Sequence, residues 1–581
     1  MKRLMKYVKP FLLLTIVCLV LKQFASVMEL QIPSALADII DKAVPMARES
    51  GDTSTIIHYG LLMMVYAVAG AGTNLIANIC SAYITAWTTR DIRQAMFVKI
   101  NSLSARQLDG LTTSSAIARL TSDTYNVQNM FRRCLAIGIR GPIMMIGGVF
   151  VMLRMDAPMT LILIAVIPCV VFITVKLTKR AIPLHKERQV ILDRLTGKVQ
   201  ENATGVRVIK ALSKSAYERG KFDEVNDALS EKNLQAGYAT AGLRPLTQGI
   251  LNLSLVAVIV FGAYRVNGGL TQPGKIIAFT SYFTQILHVT LGLSGIFATL
   301  STGAASASRI AEVLDMEQDS NQTIRDILPE ETENSLEFRD VTFSYNGLRP
   351  NLSHVSFALK PGQTLGILGA TGSGKSTILN LLLRLYDADE GKILIHGRDV
   401  QSIPEEELHA MFGMTFQNDF LVADTIRQNI AFFRDLPEDA VEKAAVLAQA
   451  KEFIDEKEGG MDYMLAVGGN NVSGGQKQRI LIARAMAAEP EFLLLDDASS
   501  ALDYATDAKL RRAIAESLPD TTKIIVAQRI SAIRHADLIL VLDDGCVIGE
   551  GKHDDLMKNC PIYRETALIQ MEAEGEEVTA G

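Results

Sequence analysis

Cysteine is scarce in this chain. Six residues in 581 (Cys18, Cys80, Cys134, Cys169, Cys546 and Cys560) are scattered, with no CxxC pair and no metal-ligand spacing. This argues against a disulfide framework or a thiolate metal site, and fits plain packing in a reducing interior. Basic excess is also missing. A net charge of −6 makes no case for binding nucleic acid. The N-terminal stretch MKRLMKYVKPFLLLTIVCLVLK has the basic start and short apolar core of a signal peptide, but no small-residue cleavage site follows and apolar character resumes at once. It reads as a cytoplasmic lead into a first membrane helix.

Apolar residues are abundant, at 48% hydrophobic, with a mean hydropathy of +0.19, high for a soluble protein. The length predicts several domains, and the two halves differ. Residues 1–310 hold long apolar runs, whereas 335–570 alternate in the manner of a soluble α/β domain. A membrane helix needs about 20 mainly apolar residues. Six candidates centre on 10–33, 56–86, 134–153, 157–178, 246–266 and 276–300.

The connections within successive pairs are short: Arg48 to Asp52, a turn with Asp156 and Pro158, and Asn267 to Gly274. Those between pairs are long and charged. Lys2, Arg3, Lys6 and Lys9 precede the first candidate. Arg90, Arg93, Lys99, Arg106, Arg119, Arg132 and Arg133 follow the second, and Lys176, Lys179, Arg180 and Lys186 follow the fourth. The positive-inside rule therefore places both termini and both long connections in the cytoplasm. These connections have helical periodicity and few breakers, enough for two helices each. The sixth candidate runs into STGAASASRIAEVLD, whose small residues suit close helix packing, and a polar stretch from Glu317 to Glu333 reads as a linker.

Within the apolar half lie Lys22, Glu29, Asn74, Asn78, Arg140, Asn252, Gln285 and His288. Intramembrane polar groups are costly and tend to face a cavity, so they are candidates to line a substrate path. The simpler reading is that Lys22 snorkels and Arg140 pairs locally near the cytoplasmic end. Met63, Met64, Met144, Met145, Met152 and the single Trp87 suit an adaptable pocket, or plain packing and lipid contact.

In the second half, alternation in LEFRDVTFSY predicts a strand. GATGSGKST spans Gly369–Thr377, between the apolar strand TLGIL and the helical STILNLLLRLY. Strand, glycine-rich loop and helix are the context a phosphate-binding P-loop requires. Gly369, Ala370, Thr371, Gly372, Ser373 and Gly374 would turn backbone N–H groups inward. Lys375 would reach the β- and γ-phosphates, Ser376 would sit on Mg2+, and the helix opening through Thr377 would add its positive end. EFLLLDD, Glu491–Asp497, is a buried strand ending in Asp496, a metal-holding carboxylate.

Between these elements lies NVSGGQKQR, Asn471–Arg479. With it the chain resembles the ABC transporter family. Ser473, Gly474, Gly475 and Gln476 look like the family signature, which contacts the γ-phosphate of ATP held by the opposing nucleotide domain. TFQN with Gln417, SALD at 500–503 and IIVAQRIS at 524–531 extend the match, and Tyr345 stands where the family stacks an aromatic on adenine.

The resemblance implies a half-transporter of the exporter (type IV) fold. This is a membrane α-helical domain of six transmembrane helices with long cytoplasmic extensions, fused to an α/β P-loop nucleotide-binding domain. The expected division is 1–315 transmembrane, 316–335 linker, 336–571 nucleotide-binding and 572–581 a disordered tail. ATP and Mg2+ are the implied cofactors, with Ser376, Gln417 and Asp496 on the metal. Two chains would pair head to tail, with short coupling helices near Gln107–Ser115 and Val208–Ser215. Implied partners are a second half-transporter, membrane lipid and a small amphipathic substrate.

Two positions depart from the family pattern. The Glu that usually polarises the attacking water is Asp497, shorter by one methylene, which sets the carboxylate about 1.5 Å back; a displacement of that size costs roughly 10²-fold in rate. The His that usually contacts the γ-phosphate is Gln528, which hydrogen-bonds but carries no proton at neutral pH. Acid–base assistance is worth about 10²–10⁴-fold, or about 3–5 kcal/mol of barrier. Neutral drift is the bland explanation. Because both changes strike one reaction step while every binding element survives, the sequence reads instead as a site that binds ATP and hydrolyses it slowly. This resembles one half of the heterodimeric multidrug exporters, with VSGGQ serving the partner's site. Siderophore import by the same fold and an ATP-gated regulatory subunit are the alternatives.

Overall fold

The computed structural model describes residues 3–317, 327–417 and 419–574, with backbone alone at 291, 293–295, 297–298 and 571–574. Lys2, Asn418, much of the expected linker and residues 575–581 of the expected tail lie outside these residues. The chain divides into two units. One comprises Met1–Asn101 and Ser114–Met316, the other Ser102–Thr113 and Glu317–Gly581.

The first unit is helical. Its long elements are α1 (Leu12–Asp38) and α2 (Ser54–Asn101). α3 (Ala105–Leu111) belongs to the other unit. The first unit resumes with α4 (Thr124–Arg133), α5 (Arg140–Met155), α6 (Ala157–Ala211), α7 (Ser215–Ala241), α8 (Leu243–Asn267) and α9 (Pro273–Asp315). Among the described residues, five continuous helical stretches are long and apolar enough to cross a membrane, each containing one of the first five expected spans. The sixth expected span lies in α9, where several side chains are outside the described residues.

These helices are apolar on their outer faces as well as their inner ones. Leu13, Val68, Ile146, Phe172 and Leu253 are all largely exposed. Such faces are unfavourable in water and at ease in lipid. The expected long extensions are present: α6 alone has 55 residues, about 80 Å at the helical rise. α7 runs back from it after a turn at Leu212–Lys214. That turn stands where a second short coupling helix was expected. Ser213 at φ 52° and a bond from Lys214 N to Ile209 O close it too tightly for a separate helix.

Carboxylates secure the short connections. Asp156 caps α6 by accepting from Met159 N at 3.2 Å and also accepts from Arg265 Nε at 3.0 Å. Asp41 accepts from Gly274 N and Lys275 N at the start of α9, where a negative charge meets the positive helix end.

Two of the intramembrane polar residues behave differently from the simple reading. Lys22 does not snorkel. It is 2% exposed, and its Nζ donates to Asn74 Oδ1 at 3.0 Å and Asn78 Oδ1 at 2.5 Å. Arg140 pairs with Glu29 of α1, 111 residues away in sequence. Sequence neighbours could not show this, because both partners come from helix packing.

The second unit carries two sheets. β1 (Leu336–Phe343), the strand expected from alternation, lies between β2 (Leu352–Leu359) and β4 (Glu390–Ile395) in an antiparallel sheet that ends on β5 (Arg398–Asp399). β3 (Thr364–Gly369) belongs to the larger sheet and leads into α10 (Lys375–Leu382). β6 (Phe412–Thr415) follows, then α11 (Ile426–Ala431), α12 (Gly474–Met486), β7 (Phe492–Asp496), α13 (Tyr504–Ser517) and β8 (Thr522–Val526). The chain ends with α14 (Ile530–Ile533), β9 (Leu538–Asp543), β10 (Cys546–Gly551) and α15 (Pro561–Glu574).

The larger sheet has the order β10-β9-β3-β8-β7-β6 and is parallel except at the β10 edge. Its central strands are near-continuous apolar runs because both faces are covered. Parallel pairing matters for the site, since it collects the C-terminal ends of β3, β7 and β8 on one edge.

Close approach in the helical unit depends on small residues. A Cβ added at Gly303 of α9 would lie 2.5 Å from Met130 Cβ of α4. Gly303→Val is therefore expected to destabilise the folded chain by about 1–3 kcal/mol through overpacking. Thermal unfolding of the purified protein in detergent checks this; an unchanged midpoint would show that α4 and α9 separate freely.

Candidate functional site

The site begins at the end of β3. Gly372 (φ 87°) and Gly374 (φ 101°) occupy left-handed conformations that bend the chain back on itself before α10 starts. A Cβ at Gly374 would meet Asn351 O at 2.6 Å, so only glycine fits there. Lys375 Nζ donates to the carbonyls of Gly369 and Ala370, both at 2.8 Å, which arches the ammonium over the loop. The Ser373 hydroxyl is buried with no hydrogen-bond partner among the described residues.

β7 delivers the carboxylates. Asp496 Oδ2 accepts from Ser376 Oγ at 2.9 Å, so two of the expected metal-holding groups already touch. Burial raises the Asp496 pKa. The Ser376 hydrogen bond opposes that shift, the neighbouring Asp497 adds to it, and Lys375 and the Gln417 backbone oppose it. Burial also raises Asp497, against the pull of Lys375 and Arg529, and lowers Lys375, against the pull of the two aspartates. The pocket thus holds ionisable groups that await a counter-charge.

Asp497 has φ 50°, unusual for a residue with a side chain. Its N–H donates to Val526 O at 2.9 Å, fixing it beside the end of β8. Gln528 lies just beyond that strand, and its Nε2 is 3.5 Å from Asp497 Oδ2. The two departures from the family pattern therefore face each other at one rim.

One cleft of about 260 Å³ gathers Tyr345, Thr371, Gly372, Gly374, Lys375, Ser376, Thr377, Gln417, Asp496, Asp497 and Gln528. Gly369, Ala370 and Ser373 form the loop beneath it. Val526 and Ala527, from within IIVAQRIS, also line it, as does Asn351, which no motif marked because it arrives through strand packing. Tyr345 Oη accepts from Asn380 Nδ2 at 2.9 Å and donates to Thr377 Oγ1 at 3.4 Å. Its ring meets Tyr386 edge-on, with centroids 4.9 Å apart.

Tyr386 in turn donates to Asp109 Oδ2 at 2.5 Å. Asp109 sits on α3, whose start is closed by a capping box between Ser104 and Gln107. A coupling helix was expected near Gln107–Ser115. The observed helix is Ala105–Leu111, and it packs within the nucleotide-domain unit. Tyr386 and Asp109 were not foreseen, because neither carries a signal without the other.

Ser473, Gly474, Gly475 and Gln476 do not join the cleft. They open α12, where Ser473 Oγ accepts from Gln476 N at 3.3 Å and Gln476 Oε1 accepts from Ser473 N at 3.1 Å. This is a reciprocal cap at the start of a 13-residue helix.

Residues 13–289 match the ABC transporter transmembrane region and residues 352–500 match the ABC transporter domain. The chain is 34% identical to the uncharacterized ABC transporter ATP-binding protein YfiB of Bacillus subtilis, over 99% of this chain and all of that one. The chain belongs to the ABC transporter family.

An uncharacterized ABC transporter ATP-binding protein of Mycobacterium tuberculosis is 32% identical over 98% of this chain and 97% of its own. Among solved structures, a bacterial Atm1-family ABC exporter with ATP bound matches with a TM-score of 0.79 at 23% identity, over 99% of both chains. The protein is thus a multi-pass membrane ABC transporter of exporter fold, with a cytoplasmic nucleotide-binding domain and ATPase activity coupled to transport.

The residues present fit nucleotide with a divalent cation: a glycine-built cradle, a lysine bent over it, a buried unpartnered hydroxyl and a Ser–Asp pair on oxygen donors. A metal held by Asp496 would compete with protons there. Because the Asp496 pKa is raised, Mg2+-dependent nucleotide affinity is expected to fall with decreasing pH above the ordinary carboxylate range of about 3.9. Asp496→Asn should weaken binding and flatten this dependence. Titration with a fluorescent nucleotide from pH 8 to 5 measures both, and a profile identical in the two proteins would contradict the assignment.

Proposed function

We propose that this transporter exports amphipathic compounds (drugs, lipids or short peptides) as one half of a heterodimer whose own ATP site binds ATP and Mg2+ tightly and hydrolyses slowly. The functional division adopted is 1–315 for the membrane path and 336–571 for the nucleotide domain. The observation that carries the reading is the pairing of Asp497 with Gln528 across 3.5 Å at the cleft rim.

In this reading the loop 369–374 and Lys375 hold the phosphates, Tyr345 stacks on adenine, and Ser376, Gln417 and Asp496 hold the metal, which would neutralise charge on the β- and γ-oxygens. Asp497 is the carboxylate assigned to orient water, and it is a methylene short of the family's Glu. Gln528 donates hydrogen bonds but moves no proton. Grip survives, and the hydrolytic step loses both its base and its shuttle. Ser473–Gln476, outside this cleft at an exposed helix start, serve the partner's site, and the partner carries Glu and His at the two positions with an altered signature. The cluster of buried Lys22 with half-buried Asn74 and exposed Asn78 supports a polar element in the membrane path.

Repairing both positions tests the reading. Asp497→Glu combined with Gln528→His should raise ATP turnover of the purified full-length chain about 10²-fold. An unmodified chain that turns over at the repaired rate would refute slow hydrolysis, and co-expression with a second half-transporter should yield a stable pair.

A further inference from the structure

The segment that presents Gln528 is held from an unexpected place. α14 has four residues and starts after Arg529, whose side chain makes no cap. Its first N–H groups have no partner within the helix. The missing partner comes from 40 residues further along the chain: Gln570 Oε1 on α15 accepts from Ile530 N at 2.7 Å. The same amide's Nε2 donates to Gln528 O at 2.8 Å. One side chain thus closes on an acceptor and a donor two residues apart. This also fixes the amide orientation, since the reverse would set like groups against each other at both contacts.

α15 is built to aim that amide. Tyr563, Ala567 and Gln570 share one helix face by their spacing. Tyr563 and Ala567 are fully buried in a cluster with Ile530, Ile533, Ile539 and Leu556. Tyr563 is also bonded to His553 Nδ1 at 2.8 Å. On either side of Gln528 the segment is anchored: Ala527 and Ile530 are buried in the same cluster, Ala527 N reaches Ile367 O at 3.2 Å, and Arg529 lies 4.7 Å over the Tyr504 ring, while Gln528 itself is exposed.

We propose that Gln570 is a positioning residue for the nucleotide site: from the terminal helix, its amide fixes the backbone of Gln528–Ile530 and so sets the reach of the Gln528 side chain toward the terminal phosphate. This rests on the reading of Gln528 as the γ-phosphate contact. Because Gln570 grips backbone atoms, its role is independent of the side chain at 528.

Full-length protein carrying Gln570→Ala tests this in two ways. Hydrogen exchange of the amides in 528–532 should quicken about tenfold. The ratio of ATP to ADP affinity, read with fluorescent analogues of both in the presence of Mg2+, should fall about three- to tenfold while ADP affinity stays within about twofold. Gln570→Glu keeps the acceptor and loses the donor, so it should fall between; it replaces the alanine variant if that one fails to fold. Gln528→Ala separates the two ideas. A lowered ratio in Gln528→Ala with none in Gln570→Ala overturns the positioning role alone. No change in either overturns the assignment of Gln528 and the positioning role with it. Equal loss of ATP and ADP affinity in Gln570→Ala would mark a purely structural tie and also overturn the proposal.

Discussion

The bond between Ser376 and Asp496 is the point on which the nucleotide site depends. It joins the first turn of α10 to the end of β7 across 2.9 Å. It exists because β3, β8 and β7 run parallel in register, so that Leu365 pairs with Ile524 and Leu494 with the same Ile524 from the other side. A slip of one residue in either pairing would carry Asp496 to the opposite face of the sheet and leave Ser376 without its carboxylate. The apolar runs TLGIL and FLLL secure that register, because both faces of these strands are buried.

The same arrangement explains the electrostatics. Two adjacent carboxylates and a lysine are held in a partly buried cleft, with burial working against each charge. Such a cluster is costly when empty and is relieved by a phosphate–metal ligand that brings both signs at once. At the rim of the same cleft Asp497 and Gln528 stand 3.5 Å apart, the pair on which the proposed slow hydrolysis rests.

The helical unit solves another problem. Lipid offers no hydrophobic drive for helices to associate, so packing and polar pairing must supply the contacts. Gly303 allows the close approach of α4, and Lys22, Arg140 and Asp156 each find partners on another helix. Polar residues in such segments persist where neighbouring helices satisfy them.

Much was legible without coordinates. Length and hydropathy placed five of the membrane helices found here, the alternation of LEFRDVTF marked β1, and the flanks of GATGSGKST and EFLLLDD marked the turn after β3 and the acidic end of β7, because a glycine-rich turn and a buried strand are local patterns. What only the tertiary structure decided are the contacts between distant segments. These include Lys22 with Asn74 and Asn78, Arg140 with Glu29, and Tyr386 with Asp109. They also include Gln570 on the backbone beside Gln528. Sequence determines local geometry through short-range sterics and hydrogen bonding. Which remote side chain meets which backbone depends on the whole packing solution, and no single segment encodes that.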